Sequence, residues 1–269
     1  METTVALERP VWWQPWNSAA FRRALIFAAS LVAGLLAWSW LAWWVGKPAF
    51  MPSPAKTLEG AVELIKNGEL YNGIVASFSR ILVGYCIGSV IGIPLGLLMG
   101  RIRLVRTFVD PYVEFFRFIP PIAFVTLAII WFGLGETSKI VLIIYTTVFM
   151  VAINTMIGVL SVEPDKIFAA RCLGASERQA FMFVTIPAAI PHIAIGMKIA
   201  MGNSFMTVVS AEMVAANSGV GFLIFHSRLF LLTEWIFVGI LTLGIMGFLT
   251  DRAFRTLAAF LLKRYDVRL

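Results

Sequence analysis

Six stretches of this chain are apolar over the roughly 20 residues that an α-helix needs to cross a bilayer: 24–45, 71–100, 107–134, 139–160, 184–210 and 235–262. The first is bracketed by Arg22-Arg23 and Lys47-Pro48, and the second is interrupted only by Arg80. The third carries Pro120-Pro121 in its middle, the fifth contains Lys198, and the sixth becomes basic in its last turns. The pattern predicts an all-α membrane protein of six transmembrane helices. Two connecting segments have a pattern of their own. In 52–70, after Pro52-Ser53-Pro54, Leu58, Val62 and Ile65 recur at helical spacing with Glu59, Glu63 and Lys66 between them, which predicts a short amphipathic helix on the outer membrane surface. Residues 211–234 hold Gly219-Val220-Gly221 ahead of Phe222-Leu223-Ile224-Phe225 and are too short and too interrupted to cross. A non-spanning and a partly re-entrant segment both fit them.

Composition narrows the class. Of 269 residues, 59% are hydrophobic and 14% charged, and mean hydropathy is +0.86. That excludes an ordinary soluble domain and a disordered chain, and two cysteines exclude a disulfide scaffold. The net charge of +7 would suggest nucleic acid in a soluble protein; here it marks the loops that stay inside, and no nucleic-acid partner is expected. With the N-terminus inside, fourteen Lys and Arg residues fall on that side, Arg101, Arg103, Arg106, Arg171 and Arg178 among them, against five outside. Both termini are therefore expected in the cytoplasm, giving an N-terminal tail 1–23, a membrane domain 24–262 and a C-terminal tail 263–269. Trp12, Trp13 and Trp16, set among prolines, read as an interfacial tail and not as a cleavable leader; Trp38, Trp40, Trp43 and Trp44 would sit at the opposite interface.

The segment 163–187 connects the fourth and fifth spans. Pro164 suits a first helical turn, Gly174 the left-handed residue that ends it, and Ser176 with Gln179 a capping box that starts the next helix. The result is a helix–turn–helix on the cytoplasmic face, with Ala169 and Ala170 small enough for another protein's backbone to approach. It is either a docking element or a plain connector between spans. The second span carries Gly84, Gly88, Gly92, Gly96 and Gly100 along one face, so another helix can pack closely there, as a static contact or as a sliding one. Charges inside spans are candidates for function. Arg80, Arg117 and Lys198 without an unpaired mid-span carboxylate favour an anionic solute; Arg117 could instead pair with Glu114, and Arg80 and Lys198 could snorkel or meet another subunit. Asn203, Ser204 and Thr207 are weaker candidates for lining a pathway, and Glu212 would stand at its outer mouth. His192 and His226 have no ligand-spaced neighbours, so no metal site is expected. Cys86 and Cys172 cannot pair with each other, and no phosphate-binding Gly-x-x-x-x-Gly-Lys-Ser/Thr loop is present.

Ala169-Ala170, then Gly174 after three residues, then Val184-x-Ile186-Pro187 after nine, resembles the Glu-Ala-Ala cytoplasmic loop of ATP-binding-cassette importer permeases. Arg117-Phe118-Ile119-Pro120-Pro121-Ile122-Ala123 with Trp131-Phe132-Gly133-Leu134-Gly135, and 211–221, are similar to the nitrate, sulfonate and taurine branch. The likeness runs over about 71–262, with Phe168 where the loop usually begins with Glu. It implies a type I importer permease fold in a bacterial inner membrane, with Ala169, Ala170, Gly174, Ala175, Ser176, Val184, Ile186 and Pro187 coupling to an ATPase. It further implies a second, identical permease copy, two cytoplasmic ATPase subunits that use ATP and Mg, an extracytoplasmic solute-binding protein, and no cofactor or catalysis in this chain. Nitrate, bicarbonate, taurine or an alkanesulfonate would be the solute; neutral or aromatic solutes also occur in the branch. A gradient-driven transporter or channel would normally show an internal repeat, and a membrane enzyme a cluster of acid and base groups.

Overall fold

The computed structural model describes residues 19–263; Trp12, Trp13, Trp16 and 264–269 lie outside the described residues. Every regular element among them is helical. Helices α1 (Ala19–Val45), α3 (Glu69–Arg101), α6 (Glu136–Leu160), α9 (Ile186–Ala215) and α11 (Thr233–Leu261) are the long apolar ones. Five segments are long and apolar enough to cross a membrane, or six if one broken pair is counted as a span.

That pair corrects the expected third span. Residues 107–134 are not one helix but the end of α4 (Arg103–Arg117) and the whole of α5 (Pro121–Phe132), which meet at 101°. Pro120 and Pro121 supply the break: neither has an N–H to continue a helix, and a proline disfavours helical backbone in the residue before it. Helix α4 is amphipathic, with Arg103, Arg106, Asp110, Glu114 and Arg117 among Phe108, Tyr112 and Phe115, a composition that lies along an interface more readily than it crosses one.

The glycine face of α3 is buried against α6. A methyl group at Gly84 would lie 2.6 Å from Cβ of Ile143, one at Gly88 2.6 Å from Cβ of Thr147, and one at Gly100 2.5 Å from Cβ of Val159. Gly92 faces Val148 and Val151, and Gly96 faces Ala152 and Thr155. Each four-residue step along α3 is matched by a four-residue step along α6, so the two helices run parallel in one register. The same device recurs between α6 and α9, where Gly158 fits against Ala189 and His192 and Gly196 against Asn154. Helices α3, α6 and α9 form the centre of the bundle, with Ile81, Ile143 and Val208 fully buried between them.

The periphery holds the two connecting segments. The amphipathic helix is present as α2 (Pro54–Lys66), capped by Ser53, with Thr57, Gly60 and Leu64 facing the bundle and Leu58, Val62 and Ile65 exposed, the face that a helix on a membrane surface turns to lipid. Gly60 lets α2 lie against α11, beside Glu234 and Trp235, and Leu64 packs with Leu70, Leu223 and Val238. Residues 211–234 split into the end of α9, a link through Gly219 at φ +121°, and α10 (Val220–Leu229). Val220, Gly221, Leu223 and Ser227 of α10 are buried, so α10 is a short packed helix and not a crossing. Helix α1 stands apart, tied by stacking of Trp38 on Phe237 at 5.6 Å and by Trp38 Nε1 donating to the Pro52 carbonyl at 3.0 Å.

Candidate functional site

The 163–187 segment folds as the sequence predicts. Pro164 opens α7 (Pro164–Cys172). Gly174 follows at φ +88°, where its N–H donates to Arg171 O (2.9 Å) and the Ala175 N–H to Ala170 O (3.0 Å). These two bonds satisfy carbonyls that the helix end would otherwise leave orphaned. Ser176 then caps α8 (Glu177–Ala180) in a reciprocal capping box with Gln179. Arg171 pairs with Glu177 at 2.9 Å across the turn, and the Arg101 guanidinium at the end of α3 lies 4.5 Å from the centroid of the Phe181 ring, so the turn is held from two sides. A π-helical turn, Phe181–Thr185, precedes Ile186 and Pro187; Pro187 has no N–H with which to close an α turn. Phe168 and Leu173 project outward, Leu173 at 90% exposure. The two helices thus present an exposed knob whose turn is held by its caps, the Arg171–Glu177 pair and Arg101.

The residues singled out inside the spans fall into three places. Arg80 and Glu212 meet at the opposite end of the bundle, both out of solvent at 3% and 0% exposure. Arg80 Nη1 donates to Glu212 Oε1 at 2.6 Å and to the Ser218 carbonyl at 2.7 Å. Its Nε and Nη2 hold Glu136 at 2.5 and 2.8 Å. Glu212 also accepts from Ser77 Oγ (2.8 Å) and from the Gly221 N–H (2.9 Å), and the Val220 N–H donates to Ser77 Oγ (2.9 Å). The carboxylate therefore sits at the N-terminus of α10, where backbone N–H groups and the helix dipole favour a negative charge. Lys139, 3% exposed, joins through Glu136 at 3.0 Å. Two cations and two carboxylates make a neutral cluster, buried except at Glu136. The reading of Arg80 as an unpaired cation within a span is thereby corrected: Glu212 and Glu136 are its counter-ions, and the anion argument cannot count it. Glu136, Lys139, Ser77 and Ser218 escaped the sequence reading. The signal was there in part, since a methyl group at Gly219 or Gly221 would strike Glu212, and a Gly-x-Gly opening a helix is what lets an anion approach its backbone.

Arg117, Asn203 and Thr207 come together. With Tyr145, Thr146 and Met150 they line a crevice of about 190 Å³ at the α4–α5 break, facing the middle of α6 and α9. Arg117 Nη2 is held by Glu114 at 2.9 Å, the i,i+3 pair that the sequence allowed, while Arg117 Nε is buried without a partner. Thr207 donates to the Asn203 carbonyl at 2.9 Å and lies 3.2 Å from Thr146 Oγ1. Tyr145 donates to the Phe116 carbonyl at 2.5 Å, which fixes its ring at the break. Ser204, by contrast, is fully buried and bonds back to the Ala200 carbonyl at 2.8 Å. Lys198 is not brought to this crevice; it lines a second cavity with Phe205, Asp251 and Phe254. His192 lies beside Ser161, His226 stacks between Phe222 and Phe230, and no group of acidic, histidine or cysteine side chains among the described residues could hold a metal.

Comparison with known proteins gives one consistent result. Residues 92–266 match the family described as "Binding-protein-dependent transport system inner membrane component". The taurine transport system permease protein TauC of Escherichia coli is 37% identical over 240 residues, spanning 85% of this chain and 87% of that protein. The nitrate import permease protein NrtB of Synechocystis is 33% identical over 234 residues, 84% of each. Among solved structures, the MetNI methionine ABC transporter in inward-facing form overlays with a TM-score of 0.57 at 22% identity, covering 70% of this chain and 95% of that chain, a likeness of fold.

Proposed function

Since the chain belongs to the binding-protein-dependent transport system inner membrane components, the permease subunits of ABC importers, we propose that it carries a small anion through a pathway completed by a second, identical copy and driven by two separate ATPase subunits. It is a multi-pass inner-membrane protein of type I importer fold. Taurine, nitrate, bicarbonate and alkanesulfonates are the solutes proposed, delivered by an extracytoplasmic binding protein. Hydrolysis of Mg-ATP would take place in the partner subunits. The observation that carries the coupling role is the knob at 163–187, capped at both ends of its turn and exposed; on the basic-residue bias of the loops we place it, and both termini, on the cytoplasmic side.

The knob supplies a sharp test. Gly174→Val should uncouple ATP hydrolysis from uptake, lowering transport about tenfold or more while the spans still insert. A methyl at Gly174 meets nothing within 4 Å, so the substitution acts through backbone conformation alone. Valine at a positive φ costs about 1–2 kcal/mol and displaces the turn, whereas Gly174→Asn, which tolerates that conformation, should retain most coupling. Uptake and ATPase rates of both variants in proteoliposomes decide the matter; normal coupling in Gly174→Val removes the docking role.

The second copy is supported by the exposed apolar side chains of α4 and α5, among them Phe108, Tyr112, Phe115, Ile122 and Trp131. Native mass spectrometry of the active complex should return two copies of this chain with two ATPase subunits. One copy at full activity would contradict it. The solute is decided by stimulation of ATPase activity in the reconstituted complex with its binding protein, across anions and neutral analogues; stimulation confined to neutral solutes overturns the anion reading.

A further inference from the structure

The crevice at the α4–α5 break does not stand alone. Two of its walls, Tyr145 and Phe149, also line a second cavity of about 360 Å³ whose other walls include Phe116, Phe124, Ala128 and Trp131. The rings at the junction brace one another, Phe124 on Tyr145 at 5.0 Å and Tyr145 on Phe149 at 5.1 Å. One compartment therefore offers a guanidinium and hydroxyls, and its neighbour offers only carbon.

We infer that these adjoining compartments form one transit site for an organic anion, with the oxyanion head at Arg117 and Asn203 and a short apolar arm among the aromatic rings. The inference rests on the anion-import reading above and narrows it to solutes with both parts. Arg117 is suited to the head. Glu114 takes only Nη2, on the half-exposed side, while Nε is buried and unpartnered, a state that costs free energy until an acceptor arrives. The Asn203 side-chain amide makes no hydrogen bond among the described residues, and its N–H groups can add to the same acceptor. Glu114 competes for the guanidinium and keeps the head from binding too tightly, which a site on a transport route requires. The arm is favoured by the second cavity, an open apolar cleft whose lining presents only carbon and gains from an apolar occupant. An inorganic anion fills the first compartment and leaves the second unused. Each methylene moved from water into the second is worth about a fourfold gain in affinity.

The test uses the intact complex of this chain with its ATPase subunits, in nanodiscs and without the binding protein, titrated calorimetrically with methanesulfonate, butanesulfonate and nitrate. Butanesulfonate should bind about tenfold or more tightly than methanesulfonate, and nitrate more weakly than either. Arg117→Gln should lower butanesulfonate affinity about tenfold, Asn203→Ala a few-fold, and Arg117→Lys should restore part of the loss. Trp131→Ala, at an exposed wall, should reduce the preference for the longer arm while sparing methanesulfonate. Equal binding of the two sulfonates, undiminished binding by Arg117→Gln, or the same heat from empty nanodiscs each overturns the site. Uptake of an anion by the wild-type complex in the presence of its binding protein separates the two levels. If uptake persists while these titrations are flat, the site alone fails; if only neutral solutes are taken up, the anion reading fails with it.

Discussion

Arg80→Leu should destabilise the folded protein by about 3–5 kcal/mol, the cost of leaving a buried charge without its partner. Glu212 is the group left behind. At 0% exposure it has no route to water, and Ser77 and the Gly221 N–H are dipoles that cannot replace a full positive charge. The converse change should cost less. In Glu212→Leu, Arg80 keeps both of its bonds to Glu136 and its bond to the Ser218 carbonyl, so the charge that remains is still paired. The double variant Arg80→Leu with Glu212→Leu should be more stable than Arg80→Leu alone, because an apolar pair removes the uncompensated charge, and Glu136, 57% exposed, can turn to water. Unfolding midpoints of the three detergent-solubilised variants form a double-mutant cycle. Additive losses, or a larger loss for Glu212→Leu, would show that the cluster does not act as a coupled unit.

Gly96→Leu should prevent α3 and α6 from closing and remove most folded protein from the membrane. A first added carbon at Gly96 already strikes the Ala152 carbonyl and lies 2.6 Å from Cβ of Thr155. A backbone carbonyl cannot rotate away as a side chain does, so the helices must separate, and separation at one rung loosens the others because the ladder shares one register. Overpacking of a close-packed contact costs typically ~1–3 kcal/mol for a small insertion, and leucine adds four carbons. Graded replacements sharpen the test. Gly92→Ala meets neighbours at 2.9–3.0 Å and should be milder than Gly96→Ala. Gly34→Ala in α1, where nothing lies within 4 Å, should be neutral or slightly stabilising, since alanine favours a helix by ~0.5–1 kcal/mol over glycine. Thermal midpoints that do not follow this order would separate the ladder from the packing of the bundle.

The sequence by itself determined what depends on neighbours along the chain. The apolar runs were long enough to be spans, the glycines every fourth residue placed one close-packing face, and Pro164, Gly174, Ser176 and Gln179 specified a capped turn that the structure reproduces. These signals act within a helical turn or two, so periodicity and spacing record them fully. The family likeness was legible at the same scale, in 163–187, 117–135 and 211–221. The tertiary structure decided what depends on distant partners. Arg80 looked like a lone cation because its counter-ions lie 56 and 132 residues away, and Glu212 looked like a mouth residue because Gly219-Val220-Gly221 signals an anion at a helix start without saying which one. The third span looked continuous because hydropathy counts side chains, whereas two prolines stop a helix by removing N–H groups. The inward face of α2 was not legible, because Thr57 and Gly60 carry little hydropathy signal and only the approach of α11 at Glu234 and Trp235 places Gly60 against the bundle. Arg117, Asn203 and Thr207 were named singly, and only the break that folds α4 and α5 against α6 and α9 set them around one crevice.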